Sequence, residues 1–137
     1  MDTIKPTWCE PKKNNRFLVE FPEEFDIKSW SIEKINKPKY TDDKWENIRV
    51  DFIDPIGPST SQRLFEIVNF LKKNNGGDKN LFEVNIKSLD QKGVVVEEWV
   101  IYVEKVIAIN FGDLEYSSYE IQKPFLILKP LYCILKY

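Results

Sequence analysis

Apolar and polar residues alternate over several stretches of this chain. Phe17, Val19 and Phe21 alternate with Arg16, Leu18 and Glu20. Ile48, Val50 and Phe52 alternate with Asn47, Arg49 and Asp51, and Phe82, Val84 and Ile86 with Glu83, Asn85 and Lys87. A period of two sends successive side chains to opposite faces, so each stretch predicts a strand with one buried and one wet face. Residues 29–35 predict another strand, with Trp30 and Ile32 on one face. Leu89-Asp90-Gln91-Lys92-Gly93 predicts a hairpin turn in which Gly93 takes positive φ. The long strand expected after it, 94–103, is apolar on both faces. Val94, Val96, Val100 and Tyr102 lie on one, Val95, Trp99, Ile101 and Val103 on the other, with Glu97 and Glu98 interrupting. Such a strand sits centrally or has its second face covered by another chain. Residues 105–111 continue in the same style as far as Gly112-Asp113. Residues 119–137 are very apolar, but Pro124 and Pro130 mark edges, bulges or breaks, because proline cannot donate to a ladder.

One segment changes period. Over 60–73, Leu64, Ile67, Val68 and Leu71 form an i, i+3, i+4, i+7 stripe. Pro55 and Pro58 close the preceding strand, Ser59 with Gln62 makes a capping box, and Lys72-Lys73 suits the negative end of the helix dipole. Asn74-Asn75-Gly76-Gly77 ends the helix. Ahead of the first strand, Pro6, Pro11 and a polar stop make 1–15 an extended arm, with Trp8 as its large apolar side chain. Trp8 therefore docks on its own domain or on a neighbouring subunit. The expected plan is mainly β: an antiparallel β-sandwich or barrel over 16–137 with one packed α-helix, and an arm over 1–15.

Composition narrows the chemistry. The 137 residues include no histidine, which removes Ser-His-Asp and Cys-His nucleophilic sites, histidine general bases and most zinc sites. Cys9 and Cys133 lie far apart without CxxC spacing. In the absence of an export signal they are read as reduced thiols in a cytosol-like compartment. Twenty Lys+Arg against 22 Asp+Glu give net charge −2, unlike a general nucleic-acid binder. No apolar run reaches the roughly 18 residues of a membrane span. The acid pairs Glu23-Glu24, Asp42-Asp43 and Glu97-Glu98 are poor acid–base catalysts, since strand neighbours face opposite ways. Asp51, Asp54 and Asp113 lack a cation-binding loop and suit turns and caps better. The residues thus describe a non-enzymatic, β-rich module without cofactor or metal.

The order of segments resembles the tail tube proteins of contractile-tailed bacteriophages, whose fold is shared with the tube protein of type VI secretion. Phe17-Leu18-Val19-Glu20-Phe21 is similar to the opening F-x-V-E-φ strand, and Trp45-Glu46-Asn47-Ile48-Arg49-Val50 to a W-x-x-φ-x-V strand. Residues 29–38 resemble the strand between them, and the helix after Ser59 takes the family helix's place. Leu89 to Gly93 with Glu98-Trp99 resembles the L-D-x-x-G-x-x-x-E-x-W hairpin, and residues 109–116 the φ-x-φ-G-D-L-x-φ segment. Pro124 and Pro130 depart from a smooth closing strand.

The resemblance implies a structural virion protein, assembled in the host cytoplasm. Six copies form a ring by extending sheets across subunit borders. Rings stack into a hollow tube within a contractile sheath, with baseplate or neck proteins at its ends, and the tube conducts DNA without binding it specifically. On this reading Val95, Ile101 and Trp8 are candidates for the subunit border. Lys37, Pro38, Tyr40, Asp42 and Asp43, in the loop 37–44, are candidates for ring-on-ring contact. Asp51 and Glu83 are candidates for the lumen wall, where like charge keeps phosphates from adhering. Three alternatives share or oppose this assignment: a baseplate initiator or tube terminator, a secreted type VI tube protein, and a monomeric β-sandwich ligand-binding module.

Overall fold

A computed structural model describes residues 11–73 and 81–137. Its strands are β1 (Phe17–Glu20), β2 (Ile32–Ile35), β3 (Tyr40–Thr41), β4 (Lys44–Trp45), β5 (Ile48–Phe52), β6 (Phe82–Leu89), β7 (Val95–Asn110) and β8 (Phe125–Leu135). The single α-helix among the described residues, α1, spans Thr60–Lys73. Six strands form one antiparallel sheet in the order β1-β6-β7-β8-β5-β2, and β3 and β4 form a separate ladder. The large sheet is curled until nearly closed, so its two halves face each other across one core.

The alternating positions set that core. Val19, Ile48, Val50, Phe52, Val84, Ile86, Ile101, Val103, Leu126 and Leu128 point inward and are buried. α1 adds Leu64 and Ile67, both fully buried, while Val68 and Leu71 are half-buried. Phe70 packs edge-on against Phe25 and Phe82, with ring centroids 5.2 and 6.2 Å away, which joins the helix to the sheet.

The helix start differs in one respect from the sequence pattern. Ser59 Oγ accepts from the Gln62 N–H at 3.3 Å, but the strongest cap is Asp54. Its Oδ1 accepts from the backbone N–H of Thr60 at 2.9 Å and of Ser61 at 3.3 Å, and its second oxygen accepts from the Ser61 hydroxyl. A carboxylate here satisfies orphan donors and complements the helix dipole.

Of two further expectations, one meets a different local structure and the other is met. Ser29–Ser31 is a 3₁₀ turn, so β2 begins at Ile32, and Trp30 does not share its face: Ile32 is buried while Trp30 is 57% exposed. Pro130 lies within β8, opposite Val103, where the pairing with β7 shifts register on both sides. The bulge absorbs the missing donor, so β8 continues through the proline. Pro124 precedes β8 and its carbonyl accepts from Phe52 N–H at 2.9 Å. At the β6–β7 turn, Gly93 has φ +85° as expected, and Asp90 Oδ1 accepts from Lys92 and Val94 N–H at 2.8 and 2.9 Å. These backbone donors, that of Val94 foremost, hold the Asp90 carboxyl below the usual aspartate value.

Candidate subunit interface

β7 carries two of the three border candidates, and they differ. Ile101 is fully buried, paired with Val84 on one side and Cys133 on the other, which leaves none of its side chain for a neighbouring copy. Val95 opens the strand half-buried, beside exposed Val94 and Val96. The opposite face of the sheet is mixed. Register sets Glu20, Asn85, Val100 and Ile134 in one row and Glu83, Tyr102 and Tyr132 in the next. Tyr102 and Tyr132 stack at 4.5 Å, and Tyr132 and Ile134 remain exposed. Glu83 is exposed on this face. Asp51 also points outward but is half-buried, 2.9 Å from Arg49 Nε, whose guanidinium lies over the Phe125 ring at 3.8 Å. Trp8 lies outside the described residues.

The loop candidates form a built hairpin. Tyr40 pairs with Trp45 and Thr41 with Lys44. Asp42 and Asp43 make the two-residue turn with φ 52° and 62°, the pattern of a type I′ turn, which aspartate tolerates better than most residues. Tyr40 meets Trp45 edge-on at 5.0 Å, and Trp45 meets Trp99 at 6.1 Å, so an aromatic stack ties the hairpin to β7. Pro38 is half-buried at its base, and the two aspartates stand exposed at its tip.

Beneath the hairpin sits a group the sequence pattern did not reveal. Glu97 is almost buried, and its two carboxylate oxygens face Lys12 Nζ and Lys37 Nζ, each at 2.5 Å. Trp99 Nε1–H donates to Glu97 Oε2 at 3.0 Å. Burial pushes the Glu97 carboxyl up, but the two ammonium groups outweigh it and hold the group below the ordinary glutamate value. One carboxylate thus fastens residue 12 and the base of the hairpin to the same strand. The signal for it was an acid facing inward beside a tryptophan. Glu98 faces the other way and accepts from Asn85 Nδ2 at 3.1 Å and Tyr137 OH at 3.3 Å. The adjacent acids serve two separate sites, as strand geometry requires. Burial pushes the Cys133 thiol up to about 11.

The connection from β7 to β8 supplies the most exposed apolar surface. Tyr116 and Tyr119 are fully exposed, Leu114 is 82% and Ile121 61% exposed. Its base is fixed: Gly112 N–H donates to Asn110 Oδ1 at 2.7 Å, and Asp54 N–H to the Gln122 carbonyl at 3.3 Å. Finally, β1 and β2 end the sheet, and neither pairs with another strand on its outer side among the described residues. Open edges and a projecting apolar segment are features that assembly covers.

No family description matches the sequence, and no curated protein matches it. Solved structures do match. The sheath–tube complex of an extracellular contractile injection system, PVC, in its extended state contains a chain with TM-score 0.70 and 15% identity, the match covering 97% of this chain and 99% of that one. This is a fold used in contractile injection systems. The PVC sheath/tube terminator, also extended, gives TM-score 0.69 at 14% identity over 93% of this chain and 98% of that one. The tube-terminating cap of the anti-feeding prophage gives 0.68 at 14% identity over 98% and 95%.

Proposed function

We propose that this chain is a ring-forming structural subunit of a contractile tail. In this reading six copies join edge to edge around a channel, and the rings stack into the tube inside a sheath. One observation supports it: the nearly closed sheet with two open edges matches, over almost its whole length, chains from a sheath–tube complex, a sheath/tube terminator and a tube-terminating cap of contractile injection systems. The hairpin with Asp42 and Asp43 at its tip faces the next ring, held upright by the Trp45–Trp99 stack. Glu83 and Asp51 lie toward the lumen and, with the slightly acidic chain, keep DNA phosphates from adhering. Partners are further copies of the chain, the sheath, and baseplate or neck proteins. The arm 1–15 and the body 16–137 act as one subunit of the tail.

A second reading, a tube terminator, is favoured by the likeness to the PVC terminator and the prophage cap. Negative-stain microscopy of the purified protein separates the two. Sixfold rings that elongate into tubes of one species support a tube body; single sixfold rings that do not stack support a terminator. Lone subunits at high concentration contradict both.

A further inference from the structure

The β3–β4 hairpin stands across the end of the sheet on two feet that point to different strands. Asn36 Oδ1 accepts from the Arg49 N–H on β5 at 2.6 Å, and Asn36 N–H donates to the Arg49 carbonyl at 3.3 Å. The adjacent Lys37 reaches β7 instead, where its Nζ lies 2.5 Å from Glu97 Oε2. β8 separates β5 from β7 in the sheet, so the two feet span its end. The first foot is made of amide groups and is indifferent to charge, whereas the second depends on one carboxylate. That carboxylate also holds Lys12 through its other oxygen, and Lys12 belongs to the arm.

The charges at this site are uneven. One nearly buried carboxylate faces two ammonium groups that arrive from two separate segments. The ammonium groups repel each other, and the negative charge between them makes their approach favourable. With Glu97 ionised, each lysine is attracted more than it is repelled. With a neutral group in its place, the same geometry is repulsive, and both half-exposed lysines turn to water. Removing one lysine has the opposite result, since the remaining pair is purely attractive.

We propose that Glu97 is a positioning residue that couples the arm to the hairpin: its charge closes Lys12 and Lys37 into one latch, and the latch sets the direction in which the hairpin tip stands. The consequence for assembly rests on the ring reading above, in which that tip meets the next ring.

Lysine labelling of the full chain reads the latch directly. Limiting N-hydroxysuccinimidyl acetate is applied and each lysine is followed by peptide mass spectrometry. Lys13 and Lys39, exposed and without an ion partner among the described residues, are the internal references. Glu97→Gln keeps the side-chain shape and an acceptor for the Trp99 indole. It should speed acetylation of both Lys12 and Lys37 at least about threefold and raise hydrogen exchange over residues 36–46. Lys12→Met alone should leave Lys37 slow. Lys12→Met added to Glu97→Gln should bring the exchange over 36–46 part of the way back, because the repulsion is gone; a packing role alone does not produce that reversal. Glu97→Gln should still form single rings but elongate them at least about threefold less than wild type. Unchanged labelling in Glu97→Gln, or hairpin exchange that rises as much with Lys12→Met alone, overturns the latch. Released lysines with undiminished elongation overturn its role in stacking and leave the ring reading standing. Wild type that forms no rings overturns the ring reading, while the labelling still decides the latch.

Discussion

Glu97 shows how one side chain can hold three segments together. Its carboxylate joins Lys12, Lys37 and the Trp99 indole on β7. The lysines are half-exposed and can turn to water when the partner is lost. Glu97→Gln should therefore cost only about 1 kcal/mol in urea unfolding, more than a surface pair but less than a buried one. Because the folded carboxyl titrates below the ordinary value of 4.5, its contribution is present above that pH. It is lost as pH falls through the lower, folded value. Wild type should lose this increment below about pH 4.5, and Glu97→Gln should not, in paired urea titrations. Asp54 gives a second test at this scale: Asp54→Ala removes the cap of α1 and should cost about 1–2 kcal/mol. A cap before the helix was legible as the Ser59–Gln62 box, although Asp54, read only as suiting a turn or cap, makes the stronger one. The Glu97 cluster was not, since its lysines come from residues 12 and 37, and only the fold brings them to residue 97.

At the scale of elements, period carried most of the information. The alternation at Phe17–Glu20, Ile48–Phe52 and Phe82–Leu89 and the stripe of Thr60–Lys73 were sufficient, because each buries one face against a common core. Alternation misled at Trp30, where a 3₁₀ turn ended by the extended Ile32 replaces the strand. It was also silent on the strand order, which depends on contacts far apart in sequence. The projecting segment 113–121 was hidden for another reason: its apolar residues look like core in a one-dimensional pattern. The β3–β4 hairpin offers a test. Type I′ turns favour asparagine followed by glycine, so replacing Asp42 by Asn and Asp43 by Gly should stabilise the protein by about 0.5–1 kcal/mol. The measurement is the urea midpoint. A loss of stability would mean that the aspartates are not in the left-handed region in solution.

For the whole molecule, substitutions on β7 distinguish folding from assembly. Ile101→Lys places a charge in a closed core and should abolish folding, a loss of more than about 4 kcal/mol. Val95→Lys, at a half-buried strand end, should leave the fold intact and lower assembly if that end meets a neighbour. Circular dichroism and sedimentation on the two variants distinguish these effects. The central claim is that identical subunits of this chain close into a ring, and native mass spectrometry of the purified protein tests it most directly. The account predicts a species at six times the 16.3 kDa subunit mass, alone or in multiples of that hexamer. A spectrum containing only the 16.3 kDa chain at high concentration would contradict it.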